Sequence, residues 1–118
     1  MNSYKCCFKL VLAMKISIKE KSFIARIASK ILHEKSVAVV IGKTIHLWNA
    51  DKQNLLKNKK WLRHELVHIQ QFRQYGFIKF LLLYAWETLK NGYYNNKFEV
   101  AARAKENDET AVINMQLK

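Results

Sequence analysis

The chain has 118 residues, 50% of them hydrophobic, with no proline and only 3 glycines; that suffices for one compact core and excludes two independent ones. Its 21 basic residues against 9 acidic ones give a formal charge of +12, which favours acidic partners: an acidic protein, nucleic acid or an anionic membrane. The adjacent pair Cys6 and Cys7 excludes a disulfide framework and a C-x-x-C metal cluster, and fits a reducing, cytoplasmic compartment.

Residues 1–9 read as a loose N-terminus. Lys5 and Lys9 ahead of Leu10–Met14 give it a weakly signal-like look, but the apolar stretch is too short for a signal peptide or a membrane span. From Leu10 to Ile18 the apolar side chains Leu10, Leu12, Met14, Ile16 and Ile18 alternate, the period of a half-buried strand. Between Glu20 and His33 the period becomes helical. Phe23, Ile24, Ile27, Ala28, Ile31 and Leu32 form an apolar stripe expected to pack into the core, opposite Lys21, Arg26 and Lys30. His33 is expected to serve that helix's terminus.

The β-branched run Val37–Ile41, then Gly42-Lys43, then Thr44–Trp48, predicts two strands around a tight turn, with His46 in a structural role. Residues 49–58 are polar and read as a loop ending in Asn58, a cap for the next helix. That helix runs from about Lys60 to Tyr75, where Gly76 ends it.

Within it lies His64-Glu65-Leu66-Val67-His68, an H-E-x-x-H pattern. On a helix the two histidines share one face, a turn apart, so both imidazoles can reach one zinc ion. Glu65 lies about 100° further round, where it can touch a metal-bound water without ligating the metal, the station of a general base. The plain alternative is an amphipathic helix whose solvated face carries these residues beside Arg63, Gln70 and Gln71.

Catalytic zinc takes three protein ligands and keeps one open position. No histidine follows His68, and Gln71 and Gln74 stand where the metzincin pattern needs glycine and histidine, so a carboxylate is expected. Glu87, Glu99, Glu106, Asp108 and Glu109 are the downstream candidates. The last three fall in a polar, solvated tail, residues 106–118. Glu99 is the best placed, in a short helix that Asn95 or Asn96 can cap and whose alanines allow close packing. The preceding run Phe77–Trp86 is about half a bilayer span and is expected to be a buried core helix behind the motif helix.

The block His64–Gln71, the glycine and aromatic-rich helix after it, and Tyr93 with Asn96-Lys97-Phe98-Glu99-Val100-Ala101-Ala102 resemble small zinc peptidases of the gluzincin type. These include a compact family also found in toxin-associated and contractile-injection-system proteins, and the resemblance covers residues 37 to 104. It implies His64, His68 and Glu99 as zinc ligands, Glu65 as the base, and Tyr93 as donor to the oxyanion, with Tyr94 second. Arg103 departs from the pattern, because thermolysin-like gluzincins place there an Asp that orients the first histidine.

The expectation is therefore one α+β, minimal zincin-like domain: a small sheet, an amphipathic helix, the H-E-x-x-H helix, an apolar helix and the Glu99 helix. Its function would be zinc-dependent hydrolysis of a peptide or protein substrate. The alternative is a catalytically inactive module whose basic surface binds an acidic protein, nucleic acid or membrane; no specific nucleic-acid motif and no transmembrane segment is present in the sequence. The acidic cluster from Glu106 to Glu109 could fold back over the cleft, although a solvated helical tail is the simpler expectation.

Overall fold

A computed structural model describes residues 15–108 and 116–117. The expectations for residues 1–14, among them Cys6, Cys7 and the first half of the alternating strand, and for Glu109, lie outside the described residues. The fold is a small α+β domain. Its elements in chain order are β1 (Lys15–Lys19), α1 (Phe23–Leu32), β2 (Val37–Ile41), β3 (Thr44–Trp48), α2 (Lys52–Lys57), α3 (Lys59–Tyr75), α4 (Phe77–Asn91), α5 (Lys97–Ala104) and β4 (Gln116–Leu117).

The sheet is mixed, in the order β2-β3-β1-β4. β2 and β3 form the expected hairpin, antiparallel with Val39 opposite His46, and Gly42 takes the left-handed turn conformation at φ 63°. β1 lies parallel to β3 with Ile18 beside Ile45, and β4 adds two residues parallel to β1. β2 is thus an edge strand, and it is the edge that faces α3.

Local chemistry sets the helix ends. Ser22 caps α1, and His33 closes it in the left-handed region at φ 57°. The stretch expected as a loop contains a helix instead, α2, because Asp51 and Asn54 form a reciprocal capping box that satisfies its first amides. Asn58 then caps α3 through the amide of Trp61. Gly76 and Gly92 end α3 and α4 at φ 88° and 81°, backbone that a side-chain-bearing residue adopts only with strain.

The core lies between the sheet and α3. Ile16, Ile45 and Leu47 from the strands meet Leu62, Leu66 and Ile69, and Phe72, Phe80 and Phe98 extend this cluster toward α4 and α5. Phe72 and Phe80 pack edge to face at 4.6 Å between ring centroids, and Phe80 and Phe98 at 5.0 Å.

Two expectations about burial are corrected. α1 turns only Ala25 and Ser29 fully inward, and leaves Phe23, Ile24, Ile27 and Ile31 exposed. α4 is not a buried core helix. Phe80 is its one fully buried apolar side chain, with Leu83 and Tyr84 packed beside it, whereas Ile78, Leu82, Trp86 and Leu89 face outward. An apolar stripe predicts a buried face only when another element is there to cover it, and among the described residues none does.

Candidate metal centre

The polar side of the motif helix is not a solvated face. Glu65, His68, Gln70 and Gln71 are all buried in the middle of α3, between the sheet on one side and α4 and α5 on the other. Burying four polar side chains on one helix is costly without partners, so what they face matters. Oε1 of Gln70 has no hydrogen-bond partner among the described residues. His68 and Gln71 turn toward α5.

His64, His68 and Glu99 come together as the sequence predicted. Nε2 of His64 is 2.9 Å from Oε1 of Glu99, and Nε2 of His68 is 3.1 Å from Oε2 of the same carboxylate. One ligating atom from each residue lies within 4.8 Å of the others, so the group could hold a metal ion. The imidazoles meet edge to face at 5.0 Å. Glu99 is delivered by Asn96, whose Oδ1 accepts from the amide of Phe98 while its Nδ2 donates to the carbonyl of Tyr84 and to Oγ1 of Thr88. The cap therefore starts α5 and ties it to α4 at once.

Both outer nitrogens of the histidines also face oxygen. Nδ1 of His68 lies 2.9 Å from Oε1 of Gln71, whose amide is oriented by its Nε2 donating to the carbonyl of Phe98 at 3.1 Å. Nδ1 of His64 lies 2.8 Å from Oε2 of Glu106. An acceptor on Nδ1 fixes the tautomer that leaves Nε2 free for a metal, which is how ligating histidines are usually held. The acceptor for His64 is thus Glu106, three residues beyond Arg103. Arg103 itself donates to the carbonyl of Tyr94 and lies over its ring at 4.0 Å, holding the turn between α4 and α5.

Glu106 was expected in the solvated tail; instead it is half-buried against His64, with its carbonyl accepting from Arg63 at 2.9 Å. Tyr84, read only as part of an apolar run, donates its hydroxyl to Oε2 of Glu99. Its polar tip one helical turn before Thr88 was the available signal. The other third-ligand candidates lie elsewhere: Glu87 accepts from the amide of Lys97 and anchors the start of α5, and Asp108 pairs with Lys105 at 3.6 Å.

The electrostatics follow from this crowding. Burial works against charge on Glu99, but hydrogen bonds from His64 and His68 outweigh it and hold the carboxyl well below the ordinary range. Burial likewise opposes protonation of both histidines, and the Glu99 carboxylate overcomes it, raising both. Glu65 pairs with no cation among the described residues. Burial pushes its carboxyl up to about 8 despite the nearby His68. Each imidazole thus has acceptor oxygens facing both nitrogens.

Two adjoining cavities, of about 390 and 280 Å³, open onto the group, and His64, Glu65 and Tyr93 line both. Residues of β2 form a wall of each. Tyr93 lies on the turn before α5; burial and the Glu99 and Glu65 carboxylates raise its hydroxyl, which keeps it a proton-bearing donor. His46 stands apart, hydrogen-bonded to Ser22 at 2.9 Å in the structural role expected of it.

Comparison with known proteins returns nothing: no family model, no curated protein and no solved structure matches this chain. The chemistry of the site therefore rests on its own residues. Two imidazoles and one carboxylate, with His64 half-buried and the other two buried, lie beside an open cavity and could hold a metal ion.

Proposed function

We propose that this chain is a zinc-dependent peptidase of the gluzincin type, holding zinc on His64, His68 and Glu99. The observation that carries the reading is the convergence of those three side chains from two helices, with Glu65 facing the adjoining cavities. Two nitrogen ligands and one carboxylate suit zinc among the divalent metals. Zinc bound there supplies a Lewis acid that polarises a carbonyl and makes water a nucleophile near neutral pH.

The protein's own groups supply the remainder. Glu65, in its ionised form, takes a proton from the attacking water and returns it to the departing amine. Tyr93 stands on the same cavities with its hydroxyl protonated, and donates to the oxygen that gains charge as the carbonyl is attacked. β2 pairs on one side only among the described residues, so its other edge can align an extended peptide along the cavity wall.

The test is zinc content and hydrolysis of a mixed fluorogenic peptide library by the native chain, Glu65→Gln and His68→Ala. The native chain should carry one zinc and cleave peptides. Glu65→Gln should keep its zinc and lose about 100-fold or more of the rate, and His68→Ala should lose both. A folded, zinc-loaded native chain that cleaves no peptide would overturn the assignment.

A further inference from the structure

Two helices leave their apolar sides uncovered among the described residues. On α1, Phe23 and Ile31 are each 70% exposed and Ile27 lies between them; on α4, Leu82 and Trp86 are 67% and 61% exposed. Water-facing apolar stripes on two separate helices are more than the scattered exposed leucine of an ordinary surface. They also share a location. Ile31 and Leu81 line the same cavity, so the two apolar faces flank the opening that leads to His64 and His68.

The exposed charges on these helices carry one sign. α1 holds Arg26 and Lys30 and no acidic residue. α4 holds Lys79 and Lys90, and its single acid, Glu87, is buried beneath the amide of Lys97. Neither Lys30 nor Lys79 meets a carboxylate among the described residues. Apolar and aromatic side chains bordered by unpaired cations fit an anionic lipid surface, where the first enter the acyl boundary and the second meet the phosphates. A second copy of a chain carrying +12 would instead bring like charges together. Among the described residues no helix is long and apolar enough to cross a bilayer, so the fitting geometry is one lying on the surface.

We propose that this protein docks on anionic membranes through the exposed faces of α1 and α4, with Lys30 and Lys79 against lipid phosphates and the cavity mouth turned toward the bilayer. Docking does not depend on the metal or on hydrolysis. It does restrict any substrate to chains presented at a membrane surface.

The test is flotation of the whole chain with vesicles of phosphatidylcholine and phosphatidylglycerol, against vesicles of phosphatidylcholine alone. Binding to the anionic vesicles should be at least about tenfold stronger and should weaken with added salt. Tryptophan emission should shift to the blue on binding, and Trp86→Phe should lose much of that shift while still binding. The pair Ile27→Ser and Leu82→Ser, at exposed positions, should cut binding about tenfold, and Lys30→Glu with Lys79→Glu should do the same by a route that leaves every apolar contact intact. Equal binding to both kinds of vesicle, no binding to either, or a serine pair that binds like the native chain would each overturn the proposal. So would concentration-dependent dimerisation of a chain that leaves anionic vesicles unbound.

Discussion

Nδ1 of His64 lies 2.8 Å from Oε2 of Glu106, and the carbonyl of that glutamate lies 2.9 Å from Nη1 of Arg63, the residue just before the histidine. The turn after α5 is thus fastened to the motif helix at two adjacent positions, and the imidazole is held with Nε2 directed at Glu99. A ring free to rotate would have to be ordered at the moment of metal binding; this one is ordered in advance.

Glu106→Ala should therefore weaken zinc binding by about 10- to 100-fold while the fold survives, since outer partners of ligating histidines usually matter by that much. Competition with a chelator of known affinity measures it. Glu106→Gln keeps an acceptor oxygen and should recover part of the loss. Unchanged affinity in both variants would reduce Glu106 to a bystander.

The sequence disclosed the centre better than its surroundings. His64, Glu65 and His68 are spaced by the helix itself, so their relation is fixed by local geometry. Glu99 was legible because Asn96 announces a helix start three residues before it. Glu106 was not. Its contact spans 42 residues and depends on how Arg63 captures a turn, which no local pattern encodes. α1 and α4 misled in the opposite sense: their stripes correctly announced helices, but periodicity records only that a face is apolar, never what covers it.

Tyr84→Phe probes the carboxylate from its other side. The hydroxyl donates to Oε2 of Glu99, the oxygen that also faces His68. Removing it should cost the metal-free protein about 1 to 3 kcal/mol, the range for a buried hydrogen bond to a charged group. The loss should be smaller with zinc bound, because a cation on Glu99 replaces what the hydroxyl supplied. Thermal melts of both proteins with and without zinc check this, and an equal loss in the two states would refute it.

The stability of the metal-free protein and the increment that zinc adds to it should depend on pH in opposite ways. Glu65 titrates at about 8 in the fold and at 4.5 in a solvated chain, so the native state keeps a proton that the unfolded state gives up, and stability falls as pH rises across that window. His64 and His68 are raised from 6.5, so their contribution is whole below 6.5 and is lost as pH climbs through their folded values, the same direction. Glu99, lowered from 4.5, contributes fully above 4.5 and loses its contribution only in stronger acid. The metal-free melting temperature should thus decline from about pH 5 to pH 8. Zinc competes with the histidine protons, so the increment it adds should grow over the same range. A metal-free protein that gains stability toward pH 8 would mean that Glu65 is ionised in the fold.

Asn96 joins the fold to the site, and its removal should damage both. Its side chain is fully buried and makes three hydrogen bonds: one caps α5, and two hold the carbonyl of Tyr84 and the hydroxyl of Thr88 in the last turns of α4. Asn96→Ala removes the cap of α5 and both donors to α4, where the hydroxyl of Thr88 and the carbonyl of Tyr84 remain bonded to each other, and should cost about 2 to 4 kcal/mol. Zinc affinity should fall as well, since Glu99 lies in the first turn of the helix that Asn96 starts. Asn96→Asp keeps the cap but loses both donors, so it should start α5 normally and still loosen its hold on α4. Denaturant melts paired with zinc titrations separate the two effects. If Asn96→Ala lost stability but bound zinc as the native chain does, Glu99 would be placed by the packing of Phe98 and Ala102 rather than by the cap.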